Sequence, residues 1–272
     1  MASFKNKTVL VTGGASGIGF LMGKKALQKG AKHLILWDIN EDQLIFAANQ
    51  LSKQGFSVST NVVDVSSAEQ VSSAALELLN HFEALDFLFN NAGIVVGKLF
   101  HQHTVEDIER TLGVNVNALM YVTNAFLSSM MDRDSGHIVN ITSAVGLTPN
   151  PGMTVYAASK WAAVGWAESL RLELKDSHPG IHFLNVMPSY INTGMFAGVK
   201  TPLFMPLLDP HIITDKIIRS VEQEKIHLKA PFMVKTTLFF RGVLPTRLYD
   251  FVAGKIFRVY ESMNTFKGHG NE

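Results

Sequence analysis

Short apolar runs alternate with longer segments of helical pattern along the first 190 residues of the chain. This alternation constrains the fold more than any other feature of the sequence. The apolar runs are continuous, a pattern typical of strands that helices cover on both faces. We predict strands within residues 7–13, 33–38, 57–65, 85–90, 136–143 and 181–188. Repeated strand–helix units of this length predict an α/β fold with a doubly wound parallel sheet.

The alternation ends after Pro188. Residues 189–210 are rich in glycine and proline and are predicted to form a loop, and a helix is predicted over 209–224. The segment KIHLKAPFMV (225–234) is predicted to add a seventh strand at the edge of the sheet. We therefore expect residues 1–230 to form the main domain, with residues 231–272 as a helical extension that belongs to the same domain.

Composition excludes several classes of protein. The 24 Lys and Arg residues nearly balance the 23 Asp and Glu residues, and a net charge of +1 argues against a nucleic-acid partner. The chain has no cysteine, which excludes disulfide bonds, a thiolate nucleophile and cysteine-ligated metal sites. We find neither a secretory signal nor a run of about 18 uncharged apolar residues, so we expect a cytoplasmic protein.

A glycine-rich turn, TGGASGIG at residues 12–19, lies between the first predicted strand and the first predicted helix. A dinucleotide pyrophosphate needs a tight turn, backbone without side chains beside the phosphates and a helix N-terminus aimed at their charge. The spacing of the glycines meets these needs and predicts a bound dinucleotide. The residues of the turn that we expect to contact it are Gly13, Ser16, Gly17, Ile18 and Gly19.

Asp38 ends the second predicted strand, 19 residues after Gly19. An acid near this spacing can accept hydrogen bonds from the ribose hydroxyls of an adenosine, and it repels a 2′-phosphate. Neither Ser16 nor Ile39 offers a positive charge to that phosphate. We therefore predict NAD rather than NADP as the cofactor, and a turn or helix-capping role is the alternative for Asp38.

Tyr156 and Lys160 are expected to share one face of a helix, because they are four residues apart. Ser143 ends the fifth predicted strand, at the sheet edge where α/β proteins bind their ligands. Oxidation of an alcohol needs a base for the hydroxyl proton while a hydride leaves for the nicotinamide. A free tyrosine has a pKa of about 10, and an adjacent ammonium favours its phenolate. We predict that Tyr156 is the general acid and base, that Lys160 lowers its pKa and that Ser143 holds the substrate oxygen.

Together these motifs resemble those of the short-chain dehydrogenase/reductase family, over nearly all of residues 5–230. The glycine turn, Asp64-Val65, NNAG at 90–93, YAASK at 156–160 and Thr193 follow one another in the order of that family. The resemblance implies a single-domain Rossmann-type sheet and an oxidoreductase that uses NAD to interconvert an alcohol and a ketone or aldehyde. The catalytic residues that it implies are Asn115, Ser143, Tyr156 and Lys160. The cofactor contacts that it implies beyond the glycine turn and Asp38 are Asp64, Val65, Asn91, Tyr156, Lys160, Ile191 and Thr193.

The same resemblance implies a role for each cofactor contact. Asp64 and Val65 are expected to bracket the adenine, and Asn91 is expected to meet the adenosine half through its backbone. Ile191 and Thr193 are expected to fix the carboxamide of the nicotinamide.

On the catalytic side, the resemblance implies that Asn115 kinks a long helix predicted over 104–131 and holds a water. That water would complete a proton relay from Tyr156 through Lys160, which also binds the nicotinamide ribose. One position departs from the family pattern, because Pro188 is followed by Ser189 where the family usually has glycine. A side chain there is expected to reshape the wall near the nicotinamide.

Within the family, LILWDIN, MPSYINTGMF and LPTRLYDFVAGKIF look most like one subgroup. That subgroup holds the 17-beta-hydroxysteroid dehydrogenases of types 11 and 13 and the epidermal retinol dehydrogenases. The resemblance implies a small apolar alcohol or carbonyl substrate that is steroid-, retinoid- or lipid-like. Met153 and Met195 are expected either to border this substrate or to pack in the core.

The extension over 231–272 combines many aromatic residues with basic ones at helical spacing. This pattern fits a lid over the pocket, an oligomer interface or peripheral contact with an anionic membrane. The family resemblance also implies that the helices over 104–131 and 154–177 form the interface of a homodimer or homotetramer.

Two other features of the chain have alternative interpretations. The pair His101 and His103 has no third ligand nearby in the sequence, so we predict no metal site and a solvated loop there. The alternative to an enzyme is a non-catalytic NAD-binding protein that docks on lipid or on a partner through the extension. An intact catalytic set argues against this alternative.

Overall fold

A computed structural model describes residues 1–268 as a seven-stranded sheet covered by helices. The strands are β1 (Thr8–Thr12), β2 (His33–Asp38), β3 (Val58–Val62), β4 (Phe87–Asn90), β5 (Gly136–Ile141), β6 (Ile181–Pro188) and β7 (His227–Ala230). The helices are α1 (Gly17–Gln28), α2 (Glu41–Ser52), α3 (Ala68–His81), α4 (Val105–Leu112), α5 (Ala118–Asp132), α6 (Thr154–Leu174), α7 (Pro210–Glu222), α8 (Phe232–Val243) and α9 (Thr246–Phe251). Each predicted strand is present, including the edge strand. Residues 269–272 of the predicted extension lie outside the described residues.

The strands follow the order β3-β2-β1-β4-β5-β6-β7, and every neighbouring pair is parallel. The order reverses between β1 and β4. Ligands of doubly wound sheets bind beyond the carboxyl ends of the strands at such a reversal. The topology therefore brings the glycine turn after β1 and the NNAG segment after β4 to one edge of the sheet.

Two apolar cores cover the two faces of the sheet. In β1, Val9 and Val11 pack with α1, α2 and α7, whereas Leu10 packs with α3, α5 and α6. Successive strand residues point to opposite faces, so a strand buried on both sides is apolar at every position. This is the physical reason for the continuous apolar runs of the sequence.

The long helix predicted over 104–131 is interrupted. A π-helical turn, Gly113–Asn117, separates α4 from α5. Within this turn the side chain of Asn115 donates to the Ile94 carbonyl oxygen at 3.0 Å and accepts from the Ile94 backbone N–H at 2.9 Å. These contacts hold the wide turn against the segment after β4, and π turns of this kind are frequent at functional sites.

The extension packs on α6 and on the loop before it. The guanidinium of Arg241 lies over the ring of Trp161, 4.2 Å from its centroid, and donates to the Leu147 carbonyl oxygen at 3.2 Å. The hydroxyls of Thr148 and Tyr249 are 2.7 Å apart. The boundary at residue 230 stays a prediction.

None of the helices within residues 1–268 combines the length and the hydropathy that crossing a bilayer requires.

The prediction of a solvated loop at His101 and His103 is wrong for His103. Its side chain has no exposed surface and lies 4.0 Å from Asp107, because the chain turns inward after a 3₁₀ turn at Phe100–Gln102. Within the described part of the chain, the one cluster with the spacing of metal ligands is elsewhere, at the amino-terminal edge of β5 and β6. Its members are His137, His182 and Glu224, and Glu224 is paired with the terminal ammonium of Met1 at 3.2 Å.

Candidate active site

A cleft of about 490 Å³ lies at the carboxyl-terminal edge of the sheet, where the strand order reverses. It brings together nearly all the site residues predicted from the sequence. Those that line it are Gly13, Ser16, Gly17, Ile18, Gly19, Asp38, Asp64, Val65, Asn91, Ser143, Tyr156, Lys160, Ile191 and Thr193. Asn115 is fully buried behind the lining.

The glycine turn has the geometry that a pyrophosphate requires. Gly13 and Gly17 have φ angles of +60° and +54°, a region that favours glycine. A β-carbon at Gly19 would lie 2.1 Å from the Gly13 carbonyl oxygen, so no larger residue fits there. Helix α1 begins directly after the turn, and the Ser16 side chain caps none of its first N–H groups. The turn thus presents bare backbone and a helix N-terminus to the cleft, which fits a bound dinucleotide.

Side chains from β1 and β4 hold this turn in place. The Asn91 side-chain amide donates to the carbonyl oxygens of Thr12 and Gly13 at 3.0 and 2.9 Å. The Thr12 hydroxyl accepts from the backbone N–H groups of Asn91 and Ala92 at 3.0 and 3.1 Å. No feature of the sequence pointed to Thr12, because its hydroxyl contacts residues just after β4, about 80 positions further along the chain.

The Asp38 carboxylate faces the cleft at the end of β2 and is also held by the backbone. One oxygen accepts from the Ala15 N–H at 3.1 Å, and the other accepts from the Asn40 N–H at 3.1 Å. The two roles considered for Asp38, ribose acceptor and turn residue, are therefore compatible. Its position fixes a negative charge at one end of the cleft.

The next wall of the cleft follows β3. The Asp64 carboxylate accepts from the backbone N–H of Ser66 at 2.9 Å and from its hydroxyl at 2.6 Å, while Val65 is buried. Arg110 and Val114 also line this cleft, although the sequence analysis did not single them out. Their helical neighbours carry no motif, so only the packing of α4 against the cleft identifies them.

The loop after β6 closes the opposite wall. Thr193 lies close to the glycine turn, because a β-carbon at Gly17 would be 3.8 Å from its side chain. The Thr193 N–H donates to the Ile191 carbonyl oxygen at 2.9 Å. Ser189 is almost fully buried and lines the cleft, and its backbone N–H donates to the Ala230 carbonyl oxygen at 2.8 Å. The extra side chain at position 189 thus forms part of the wall, as expected.

Ser143, Tyr156 and Lys160 meet in the same cleft. Tyr156 and Lys160 lie one helical turn apart near the start of α6, and the Lys160 ammonium is 5.7 Å from the centre of the tyrosine ring. This ammonium donates to the Ile141 carbonyl oxygen at 3.1 Å, which fixes it at the end of β5. Ser143 lies two residues after the end of β5, and its hydroxyl accepts from the Val145 N–H at 3.3 Å.

The pKa of Tyr156 is raised rather than lowered, which corrects the expectation from the sequence. Burial of the phenol raises its pKa above the ordinary value, a hydrogen bond with Ser143 opposes the shift, and the nearby Tyr190 adds slightly to it. Burial also lowers the pKa of Lys160 to about 8. The low polarity around the Tyr156 phenol and the Lys160 ammonium disfavours the charged form of both groups. The spacing of these residues in the sequence does not indicate how deeply they are buried.

Asn115 reaches the catalytic side chains from behind. Its amide donates to the Ser159 hydroxyl at 3.0 Å, in addition to its two contacts with Ile94. A β-carbon at Gly93 would lie 3.3 Å from the Asn115 side-chain oxygen and 3.6 Å from the Lys160 ammonium nitrogen. Asn115 and Lys160 therefore both border the space that the absence of a side chain at Gly93 leaves open.

An apolar cluster surrounds Tyr156 on the open side of the cleft. Met153 is fully buried and packs in this cluster, so it belongs to the core, whereas Met195 lines the cleft. Phe196, which the sequence analysis did not single out, also lines the cleft and lies edge-on to the rings of Tyr156 and Tyr190 at 6.3 and 5.2 Å. Its neighbours in the sequence gave no periodicity, because it lies in an irregular loop.

Replacement of Lys160 by methionine is expected to stabilise the fold at neutral pH. The unfolded chain carries the ammonium freely, whereas burial lowers its pKa from 10.5 to about 8 in the folded protein. This difference destabilises the native state by about 3 kcal/mol at pH 7. The substitution also removes the hydrogen bond to the Ile141 carbonyl, and this loss offsets about 1–2 kcal/mol of the gain in stability. The free energy of unfolding should therefore rise by about 1–2 kcal/mol in Lys160→Met.

The difference in free energy of unfolding between Lys160→Met and the wild type should depend on pH. Between the folded-state pKa of about 8 and the unfolded-state value of 10.5, wild-type Lys160 loses its proton in the native state first. The free energy of unfolding of the wild type therefore rises with pH towards that of the variant, and the gap between the two values closes. Urea unfolding of both proteins at pH 7 and near pH 10 measures this gap. A gap that stays constant with pH would contradict the assignment of a destabilising buried ammonium.

The sequence of the chain matches known dehydrogenases. The family profile described as short chain dehydrogenase matches residues 7–202. The chain is 35% identical to human epidermal retinol dehydrogenase 2 over 243 residues, which cover 88% of this chain and 78% of that protein. It is 34% identical to estradiol 17-beta-dehydrogenase 11 of Pongo abelii over 257 residues, which cover 93% of this chain and 84% of that protein.

Solved structures agree with this assignment. A short-chain dehydrogenase/reductase from Burkholderia phymatum in complex with NAD shares the fold, with a TM-score of 0.81 at 24% identity over 89% of this chain and 95% of that chain. A short-chain dehydrogenase from Sphingobium yanoikuyae in complex with NADPH has a TM-score of 0.76 at 27% identity over 85% of this chain and 90% of that chain. The chain belongs to the short-chain dehydrogenase family and is an oxidoreductase of alcohol and carbonyl groups.

Proposed function

We propose that the protein interconverts an apolar alcohol and its ketone or aldehyde with NAD(H), and that Tyr156 is the general acid and base. The observation that carries this proposal is the position of Ser143, Tyr156 and Lys160 in the cleft that also holds the glycine turn. The non-catalytic alternative is not favoured, because the relatives are named dehydrogenases.

NAD is the proposed cofactor because of the charge at the end of β2. The similar structures include complexes with NAD and with NADPH, so they do not distinguish the two. Asp38 lines the cleft with a fixed carboxylate, and a 2′-phosphate beside it would meet a like charge. Its neighbour Ile39 is exposed and uncharged, and therefore offers that phosphate no compensation.

The residues proposed to hold the cofactor divide between its two halves. The glycine turn would bind the pyrophosphate, and Asp38, Asp64 and Val65 would bind the adenosine. Ile191 and Thr193 would hold the nicotinamide on the opposite wall. When bound, the nicotinamide supplies the acceptor or donor of a hydride at the substrate carbon.

The chain's own part in the reaction is to place the substrate oxygen and move its proton. Ser143 and the Tyr156 hydroxyl would share hydrogen bonds with that oxygen. Burial keeps the phenol protonated at neutral pH, which suits donation of its proton to a carbonyl oxygen during reduction. During oxidation the phenol accepts the alcohol's proton only as phenolate, and the nearby Lys160 ammonium favours that form. With a pKa of about 8, Lys160 is still mainly charged at pH 7.

An apolar substrate is proposed because the walls near Tyr156 are apolar. Phe196 and Met195 line the cleft, and Val145 and Tyr190 are buried beside the catalytic ring. Such walls favour a hydrocarbon skeleton through burial of its surface. The relatives named for retinol and estradiol support a substrate of this class.

The experiment that tests the proposal measures NADH formation by the purified protein with steroid alcohols, retinol and medium-chain secondary alcohols. Each reaction is repeated with NADP. We expect turnover of one apolar class, with NAD preferred over NADP. Tight NADH binding without turnover of any alcohol, and without reduction of the corresponding carbonyl compounds, would overturn the proposed function.

The partners of the extension are a separate proposal. Phe232, Phe239 and Phe251 are 71, 66 and 57% exposed, and the basic side chains of Lys235 and Arg247 lie on the same helices. This combination supports peripheral contact with an anionic lipid surface.

The proposed interface of a homodimer or homotetramer is formed by α4, α5 and α6, which correspond to the predicted ranges 104–131 and 154–177. Flotation with anionic vesicles measures the lipid contact, and light scattering measures the oligomeric state. The cytoplasmic location stays a prediction.

A further inference from the structure

The segment from Phe257 to Lys267, called here the C-terminal strap, is bound to the loop after β6. The backbone N–H groups of Lys200 and Leu203 donate to the carbonyl oxygens of Ser262 and Phe257 at 3.0 and 2.9 Å. In return, the Lys267 N–H donates to the Ala197 carbonyl oxygen at 2.9 Å. This is the same loop that carries Met195 and Phe196 into the cleft, so the strap is attached directly behind the substrate wall.

One buried polar group joins the strap to two other segments. The Ser262 side chain has no exposed surface, and its hydroxyl is 2.8 Å from the Tyr190 hydroxyl. The Asn150 side-chain amide donates to the Ser262 hydroxyl at 3.1 Å and to the Tyr190 hydroxyl at 2.8 Å. Asn150 precedes α6 and Tyr190 follows β6, and buried polar contacts of this kind fix one arrangement of the segments that make them.

The apolar side of the strap leaves little space for movement. Met263 packs against the buried cluster that contains Tyr156 and Tyr190. A β-carbon at Gly97 would lie 2.4 Å from the Phe266 ring, and one at Gly152 would lie 3.1 Å from the Met263 side chain. The strap therefore rests on backbone at two glycines, and the residues that follow them, Lys98 and Met153, pair in an isolated β-bridge.

We propose that Ser262 is a positioning residue that determines which substrates the enzyme accepts. By holding Tyr190 and the strap together, Ser262 keeps the loop with Phe196 at a fixed distance from Tyr156. A bulky apolar substrate must contact this wall, whereas a short alcohol can reach Tyr156 without it. The inference deepens the proposed function, since it rests on the same cleft and names a residue outside its lining.

The test compares Ser262→Ala, Tyr190→Phe and the double variant with the wild type. Each single variant removes one hydroxyl of the buried group. We expect kcat/KM for a bulky apolar alcohol to fall about tenfold in both single variants, mainly through KM. In Ser262→Ala we expect kcat/KM for a short secondary alcohol to change less than about twofold. The double variant should be no worse than either single one, because both changes break the same contact. Phe239→Ala, on the exposed side of α8, is the matched control and should leave both substrates unaffected.

A second measurement does not depend on activity. Hydrogen exchange at the Lys200 and Leu203 amides, which donate to the strap, should be faster in Ser262→Ala than in the wild type. Equal exchange, or an equal loss of kcat/KM for bulky and short substrates, would overturn the proposal. If the wild type turned over no substrate, the proposed function would fail, and the exchange rates would still decide whether Ser262 positions the loop.

Discussion

A Tyr156→Phe variant is expected to lose turnover by about 10³-fold, a typical effect of removing a general acid or base. Tyr156 lines the cleft together with Ser143, and its ring centre is 5.7 Å from the Lys160 ammonium. Phenylalanine keeps the ring in its apolar cluster, so the fold and the wall of the cleft should be preserved. Initial rates in both reaction directions measure the loss.

NADH affinity is the control for this variant. The residues proposed to hold the pyrophosphate and the adenosine lie on other elements, so the dissociation constant of NADH should change little. Ser143→Ala serves as a companion, because it removes the second hydroxyl and leaves the tyrosine in place. If Tyr156→Phe retained the turnover of the wild type, another group would have to carry the proton and the mechanism would be wrong.

The cofactor preference should reverse in the double variant Asp38→Ala, Ile39→Arg. The change removes a carboxylate that would repel a 2′-phosphate and adds a guanidinium that can pair with it. Like-charge contacts cost several kcal/mol, so the ratio of kcat/KM for NAD to that for NADP should fall by about 10²–10³-fold. The change is measured by determining kcat/KM for NAD and for NADP in the wild type and in the variant, with one substrate at fixed ionic strength.

Asp38→Asn is the matched control for this prediction. The Asp38 carboxylate also accepts hydrogen bonds from the Ala15 and Asn40 backbone, so alanine loosens the glycine turn as well as removing charge. Asparagine removes the charge but keeps one oxygen acceptor, so it retains at most one of these two hydrogen bonds, whereas alanine retains neither. We expect Asp38→Asn to shift the ratio part of the way. A cofactor ratio unchanged in both variants would remove Asp38 from its assigned role.

The fold could be predicted from the sequence because its determinants are local. The residues of β1 are buried on both faces, and the turn that follows them has positive φ angles at Gly13 and Gly17, which glycine adopts readily. Tyr156 and Lys160 were predicted to share a face because four residues make about one helical turn. The doubly wound parallel sheet was predicted from the regular alternation of strands and helices.

Other features depend on partners that are distant in the sequence. The π turn around Asn115 is held by Ile94, 21 positions earlier, and no periodicity within the helix signals that contact. The Asn150–Ser262 contact spans 112 positions. The raised pKa of Tyr156 has the same origin, since burial sums the packing of several elements and cannot be read from the spacing of Tyr156 and Lys160.

The hydrogen bonds that Asn91 and Thr12 form across β1 and β4 have a consequence for the speed of cofactor capture. These bonds hold the glycine turn in its bent shape through the protein's own groups. A turn that is already shaped loses little conformational entropy when a dinucleotide arrives. Association of NADH, followed by fluorescence after rapid mixing, should therefore be a single phase whose rate rises linearly with NADH concentration, without a slow step of loop ordering.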